Sequence, residues 1–219
     1  MIKCCVFDLD GTLLNTLDTI TYYVNKMLVA HGISPITKEE CSAFVGNGAD
    51  SLIRRTLASR GIFDERLCCE YLAEYKGYYD ENPYCLTTPY EGICETLRKL
   101  KERGVSLAVL SNKPERATRA AVGRFFPDTF EIVLGGRDGV PLKPNPIGAL
   151  EILDRLSLTP NECAYVGDTE VDVRTAKNFC AGVCIAVLWG FRTKKELLFS
   201  GAEIFANRPS QILKILELH

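Results

Sequence analysis

Histidine is almost missing from this chain. His31 and His219 are the only two in 219 residues. A histidine-based catalytic triad is therefore improbable, and His31, just before Gly32, reads as a helix C-terminus. The ten cysteines (4, 5, 41, 68, 69, 85, 94, 163, 180 and 184) include no Cys-x-x-Cys pair, which excludes the usual zinc-ligand spacings. No apolar run reaches 18 residues, so no membrane-spanning helix is expected. No apolar h-region precedes Asp8, so no secretory signal is expected. Charge of one sign is lacking too: 26 basic against 28 acidic residues leave a net charge of −2. That argues against a general nucleic-acid binder and leaves room only for a local basic patch. There is no internal repeat and no low-complexity tract. What is present is ordinary for a globular chain: 47% hydrophobic and 25% charged residues, 17 glycines and 10 prolines. Ten thiols without a signal predict a reducing, cytoplasmic setting. Cys4, Cys5, Cys180 and Cys184 lie in apolar runs and read as small core residues.

Hydrophobic patterning divides the chain. Residues 2–7 form a short apolar run that stops at Asp8 and Gly11, as a buried strand entering a loop would. Residues 16–31 place Ile20, Val24, Met27 and Leu28 on one helical stripe. Helical segments are expected over 37–45, 49–60 and 64–80, with no strand-like alternation between 15 and 82. The stretch 82–89, with Pro83 and Pro89, reads as a linker. Beyond 91 strands and helices alternate. Strands are expected at 105–110, 131–134, 163–166, 183–188 and 204–205. Helices are expected near 93–104, 114–125, 144–156, 169–179 and 210–218. This alternation predicts βαβ units, hence an α/β fold with a parallel sheet. An all-helical insert separates its first strand from the others.

Polar residues gather at the expected strand ends. Asp8 and Asp10 follow the first strand, Ser111 ends the second, Lys143 follows the third, and Asp168 ends the fourth. Ligands of open parallel sheets bind outside the carboxyl ends of strands, so these groups converge on one edge. Asp8 and Asp10 are two apart and face the same side of an extended chain. One acid can attack while the other shuttles a proton. The same residues also suit a polar turn. Ser111, expected just before a helix at Pro114, reads on its own as an N-cap and together with helix amides as an anion site. Lys143, expected before a helix starting at Pro144, opposes the helix dipole, so an anionic partner would suit it. It reads equally as a solvated loop lysine. Thr169 with Asp172 fits a capping box. Asp168 with Asp8 also fits a magnesium site built from carboxylates.

These motifs, in this order, resemble the haloacid dehalogenase superfamily of Asp-nucleophile phosphatases. The resemblance spans the whole chain. It implies a Rossmann-like core over 1–14 and 88–219 and a helical cap over 15–87. It implies that Asp8 forms an aspartyl-phosphate and that Asp10 protonates the leaving oxygen and then activates water. Mg2+ would be held by Asp8, the backbone carbonyl of Asp10, and Asp168. Thr12, Ser111 and Asn112 would bind phosphate oxygens, Lys143 would neutralise charge, and Asp172, supported by Gly167 of the same motif, would support the metal or orient Lys143. Such roles agree with phosphoryl transfer as positioning and charge neutralisation. Having Asp at position 10 implies a phosphatase or phosphomutase, not a dehalogenase.

Residues 45–50 (Val-Gly-Asn-Gly-Ala-Asp), 89–92 (Pro-Tyr-Glu-Gly) and 189–192 (Trp-Gly-Phe-Arg) are similar to phosphoglycolate phosphatases. The Gly46/Gly48 loop is expected to reach the site, with Asn47 and Arg54 as substrate contacts; those glycines also fit a plain inter-helix turn, and Arg54 a solvated helix face. The expected partner is a small phosphorylated metabolite such as 2-phosphoglycolate, with neither nucleic acid nor membrane, and the chain a monomer or homodimer. Alternatives are a phosphomutase of the β-phosphoglucomutase type, an inorganic pyrophosphatase, and a phospho-acceptor signalling module. The last is disfavoured by an insert able to exclude water over the site. Cap movement is expected to hinge at the crossings 13–16 and 82–89.

Overall fold

The computed structural model describes residues 1–218. The opening apolar run forms β1 (Cys4–Phe7), buried along its whole length. The chain then makes a two-residue strand, β2 (Leu14–Asn15), and four helices: α1 (Leu17–Ala30), α2 (Lys38–Phe44), α3 (Gly48–Ala58) and α4 (Glu65–Glu81). It returns through β3 (Thr88–Pro89) to α5 (Ile93–Glu102), β4 (Ser106–Pro114), α6 (Glu115–Phe125), β5 (Ile132–Gly136) and α7 (Ile147–Leu156). There follow β6 (Cys163–Gly167), α8 (Glu170–Asn178), β7 (Val183–Val187), α9 (Lys194–Phe199), β8 (Ile204–Ala206) and α10 (Ser210–Leu216). No described helix is long and apolar enough to cross a membrane.

Six strands form one parallel sheet in the order β5-β4-β1-β6-β7-β8. β1 lies between β4 and β6, with Cys4 beside both Ser106 and Cys163. Successive strand residues point to opposite faces. Cys5, Phe7, Leu107, Val109, Ala164 and Val166 therefore pack with Ile93 and Leu97 of α5 and Ile212 of α10. Cys4, Val6, Ala108, Cys163 and Tyr165 pack on the other face with Ile152 of α7 and Phe179, which follows α8. Burial on both faces explains why the core strands read as unbroken apolar runs. After β1 the chain builds toward β5 on one side, then crosses back to β6 on the other. The switch point thus falls at β1, and the crevice outside its carboxyl end is where a ligand of such a sheet sits.

The four helices α1–α4 enclose an apolar cluster of their own. Ile20, Val24, Met27 and Leu28 of α1 meet Leu52, Ile53 and Leu57 of α3 and Tyr71, Tyr75 and Tyr79 of α4. The helix stripe read from the sequence is the buried face. The two crossings into this segment are paired: β2 runs antiparallel to β3, with Leu14 opposite Pro89 and Asn15 opposite Thr88. Thr19 and Thr87 share a 2.8 Å hydroxyl–hydroxyl bond just beyond them. The linker residues 88–89 are therefore part of a ribbon.

Other elements depart from their expected bounds. β4 continues through Ser111, Asn112 and Lys113, because its pairing with β5 resumes at Pro114–Gly136 after a register shift. Helix α6 starts only at Glu115. α7 starts at Ile147, three residues later than expected, with Pro146 as its N-cap. α9 is absent from the periodicity reading because six residues are too few to show one. Its capping box, Thr193 with Glu196, was the available signal. Cys180 is a correction. It is exposed, at the positive φ of 57° where the chain leaves α8, and is no core residue. Cys184 is half-buried, while Cys4 and Cys5 are fully buried.

Ile53 is completely buried in the α1–α4 cluster. Ile53→Ala is expected to destabilise the protein by about 2–5 kcal/mol, as methyl-group removal leaves a cavity. Urea unfolding followed by circular dichroism measures this.

Candidate active site

The carboxyl ends of β1, β4 and β6 bring Asp8, Ser111 and Asp168 to one edge of the sheet, as the strand order requires. Lys143 joins them from the β5–α7 loop. Its ammonium lies 2.9 Å from Asp8 Oδ1 and 2.8 Å from Asp172 Oδ1, and its side chain is 3% exposed. The sequence reading placed Lys143 at a helix N-terminus in want of an anion. The structure puts it four residues before α7, with its anions supplied by the chain itself. Tyr165 Oη donates to the same Asp172 oxygen at 3.2 Å. Asp172 Oδ2 accepts from the Thr169 amide (3.0 Å) and hydroxyl (2.7 Å), which is the capping box of α8. Asp172 thus caps a helix with one oxygen and orients Lys143 with the other. Gly167 makes room for it, since a Cβ there would lie 2.3 Å from Asp172 Cβ.

Asp168 is wholly buried. Its Oδ1 accepts from Thr12 Oγ1 at 2.8 Å and its Oδ2 from the Phe191 amide at 2.8 Å. Gly190 allows this approach, because a Cβ there would lie 2.3 Å from Asp168 Cβ. Asp8 Oδ1 also accepts from the Leu9 amide at 2.7 Å.

Asp8, Asp168 and Asp172 can each bring a carboxylate oxygen within 4.8 Å of the others. Burial, and then the Asp172 charge, push the Asp8 carboxyl up to about 7, against the pull of Lys143. Burial, then Asp172 and Asp8, push Asp168 up as well. Burial alone would lower Lys143, but Asp172 and Asp8 outweigh it and hold its pKa high. Three buried carboxylates therefore face one ammonium, an imbalance that a hard divalent cation with oxygen ligands relieves. Asp172 is committed to Lys143 and Thr169, whereas among the described residues none donates a hydrogen bond to Asp8 Oδ2. The donor set thus fits a cation held by Asp8 and Asp168.

Asp10 was expected to offer a metal its backbone carbonyl and to use its carboxyl as acid and base. Its carboxylate turns to Lys113 Nζ, at 3.2 Å from each oxygen. Any metal contact from Asp10 is left to its backbone carbonyl. Both Asp8 and Asp10 line a cavity between the sheet edge and the helices α1, α3 and α4, together with Ser111, Asn112, Gly46 and Gly48. The loop holding Gly46 and Gly48 reaches the site as expected.

The remaining candidates divide. Ser111 Oγ accepts from the Lys113 amide at 3.3 Å, which leaves its proton for a ligand oxygen. Asn112 has other work: its side chain bonds the Lys143 amide (2.8 Å) and carbonyl (3.0 Å) and the Gly46 carbonyl (3.1 Å). Thr12 spends its hydroxyl on Asp168. Asn47 is the half-buried N-cap residue of α3 and does not line the cavity. Arg54 lies on an exposed helix face, bonded to Asp50 (2.8 Å) and Glu65 (2.6 Å), also outside the cavity lining. Those carboxylates satisfy it.

Sequence reasoning missed the role of Arg192. Its guanidinium is nearly buried and donates to the Ser42 and Val45 carbonyls at the end of α2, while Nε reaches Glu170 at 2.8 Å. Ser42 Oγ bonds the Phe191 carbonyl at 3.0 Å, and the Phe191 amide holds Asp168. The helical segment is thus tied to a carboxylate of the site. Lys113 was missed as well, hidden because nothing in the sequence told its direction along an extended strand.

Residues 5–187 match the family model of haloacid dehalogenase-like hydrolases. A Pseudomonas putida protein named phosphoglycolate phosphatase is 34% identical, over 96% of this chain and 76% of its own. An Aquifex aeolicus protein of the same name is 29% identical over 99% of this chain and 98% of its own. The crystal structure of a Lactobacillus delbrueckii subsp. bulgaricus protein, assigned as a phosphoglycolate phosphatase, superposes with a TM-score of 0.91 at 30% identity, covering 96% of both chains. The order of strands around Asp8 and the length of the match lead to one conclusion: the chain belongs to the haloacid dehalogenase-like hydrolase family.

Proposed function

We propose that this phosphoric monoester hydrolase cleaves 2-phosphoglycolate or a close relative, with Mg2+, through an aspartyl-phosphate on Asp8. One observation carries the reading. The Asp8 carboxylate, at the carboxyl end of the central strand, faces a cavity it shares with Asp10, while Lys143 sits 2.9 Å from its Oδ1. The names of the two relatives and the structural neighbour support the substrate.

Lys143 and the Leu9 amide fix Asp8 Oδ1 and leave Oδ2 to attack phosphorus. As that bond forms, the ester P–O bond breaks, and the leaving oxygen takes the proton of the Asp10 carboxyl. Asp10, now a carboxylate, takes a proton from water. The resulting hydroxide attacks the aspartyl-phosphate, releasing inorganic phosphate and restoring Asp8. Ser111 donates its hydroxyl to a phosphoryl oxygen in both steps, and Lys143 offsets the charge that gathers there. Asp8, Asp168 and the Asp10 backbone carbonyl would hold Mg2+, which when bound would supply positive charge against the carboxylates and the phosphate. Residues 15–87 act as a cap, seated by Arg192 and Asn112, that keeps bulk water from the reacting groups.

A Mg2+-supplemented screen of phosphate esters that includes 2-phosphoglycolate, hexose phosphates and pyrophosphate tests the substrate; phosphate release separates hydrolysis from isomer formation by a mutase. Asp8→Asn is expected to lower turnover more than about 10³-fold while circular dichroism shows the protein still folded. Turnover like that of the unaltered enzyme would overturn the nucleophile. Asp10→Asn is expected to give a burst of one equivalent of aryl alcohol from an aryl phosphate, then turn over about 10²–10⁴-fold more slowly. An unchanged steady-state rate would remove Asp10 from the mechanism. Chelation by EDTA is expected to abolish activity, and added Mg2+ to restore it and raise the melting temperature by mass action.

A further inference from the structure

The mechanism above gives Lys113, a charged group of the cavity, no task. Lys113 projects from the end of β4 with a side chain only 8% exposed. Its ammonium is 3.2 Å from both oxygens of Asp10 and 2.6 Å from Tyr79 Oη, and lies 4.4 Å from the centroid of the Tyr79 ring. An ammonium has three N–H donors. Asp10 takes one, shared between its oxygens, and Tyr79 takes a second. The third is left over, and Lys113 lines the same cavity as Asp8, Asp10 and Ser111.

The neighbouring cavity wall is largely apolar, with Ile20, Leu52, Tyr75 and Phe191 facing in. A cation in such surroundings attracts an anion more strongly than one in water. Lys76, the other ammonium on the lining, is exposed. Position adds a length constraint. Asp10 must reach the oxygen that leaves phosphorus, and Lys113 is hydrogen-bonded to Asp10. An anion on Lys113 therefore sits within a few atoms of that oxygen.

We propose that Lys113, held by Asp10 and by Tyr79 of α4, is the residue that selects the substrate, by binding a carboxylate one or two carbons from the ester oxygen. The substrate class is the phosphate esters of short hydroxy acids. The proposal rests on Asp8 and Asp10 as the phosphoryl-transfer pair and deepens that reading. It explains how a cavity with apolar walls takes a substrate carrying two anionic groups. Tyr79 gives the helical segment a share in recognition, because its hydroxyl accepts a hydrogen bond from the ammonium.

The experiment uses two pairs of esters that differ by a carboxylate: 2-phosphoglycolate with 2-hydroxyethyl phosphate, and 3-phosphoglycerate with glycerol 3-phosphate. kcat/KM is measured for each with the unaltered enzyme and with Lys113→Met. The unaltered enzyme is expected to prefer the carboxylate member of at least one pair. Lys113→Met is expected to cut that preference by about 10–150-fold, the range of a lost hydrogen bond to a charged group, mainly through KM. Any disturbance of Asp10 strikes both members of a pair alike and cancels from the ratio. An equal loss on both members would overturn the proposal, since Lys113 would then act only through Asp10. No preference in either pair for the unaltered enzyme would also overturn it, and needs no variant to fold. Preference for 3-phosphoglycerate without cleavage of 2-phosphoglycolate would sustain Lys113 and dismiss the substrate named above.

Discussion

Everything at this sheet edge is arranged around one buried ammonium. Lys143 lies within hydrogen-bond reach of Asp8 and Asp172, and its own main chain is fixed by Asn112. Taking an ammonium out of water is costly unless ionised partners surround it, and the same holds for each carboxylate. The ammonium and its two carboxylates therefore stabilise one another. Asp172 in turn is fixed by the first turn of α8, and Asp168 by Thr12 and the Phe191 amide. Lys143 does not cancel the charge of three acids, and the residual negative field is what the site has to offer a divalent cation.

Much of this was legible in the chain. The abrupt end of an apolar run at Asp8, and similar ends near Ser111 and Asp168, follow from strands buried on both faces. The parallel order then forces their carboxyl ends together. The stripe on α1 and the Thr169–Asp172 capping box were equally plain, because both have fixed local spacing. What could not be read was the consequence of tertiary pairing. β4 runs on to Pro114 because β5 offers it a partner. Lys143 lies outside α7 and faces Asp172, 29 residues away in sequence. Asn112 has the chemistry for phosphate but is claimed by two backbone segments. Arg54 has the chemistry for substrate but is claimed by Asp50 and Glu65. In each case residue type was informative and allegiance was not.

The helical segment and the sheet are bound at several points that differ in kind. Arg192 and Asn112 bond to carbonyls of residues 42–46, so the contact reads backbone shape and not side-chain identity there. Tyr79 and Lys113 meet inside the cavity. Through Phe191, whose carbonyl is bonded to Ser42 and whose amide is bonded to Asp168, the seating of α2 and the aim of a site carboxylate share one peptide unit.

The small ribbon of β2 and β3 has a consequence for the architecture. Leu14 opposite Pro89 and Asn15 opposite Thr88 bring the two ends of the intervening segment side by side. To the sheet, the excursion between them is equivalent to the tip of a hairpin. Closing it costs entropy that grows only with the logarithm of its length. The parallel sheet is therefore nearly indifferent to what is threaded between those two residue pairs. Helices of another number, or another shape, could stand on the same stalk without altering the strands that present Asp8.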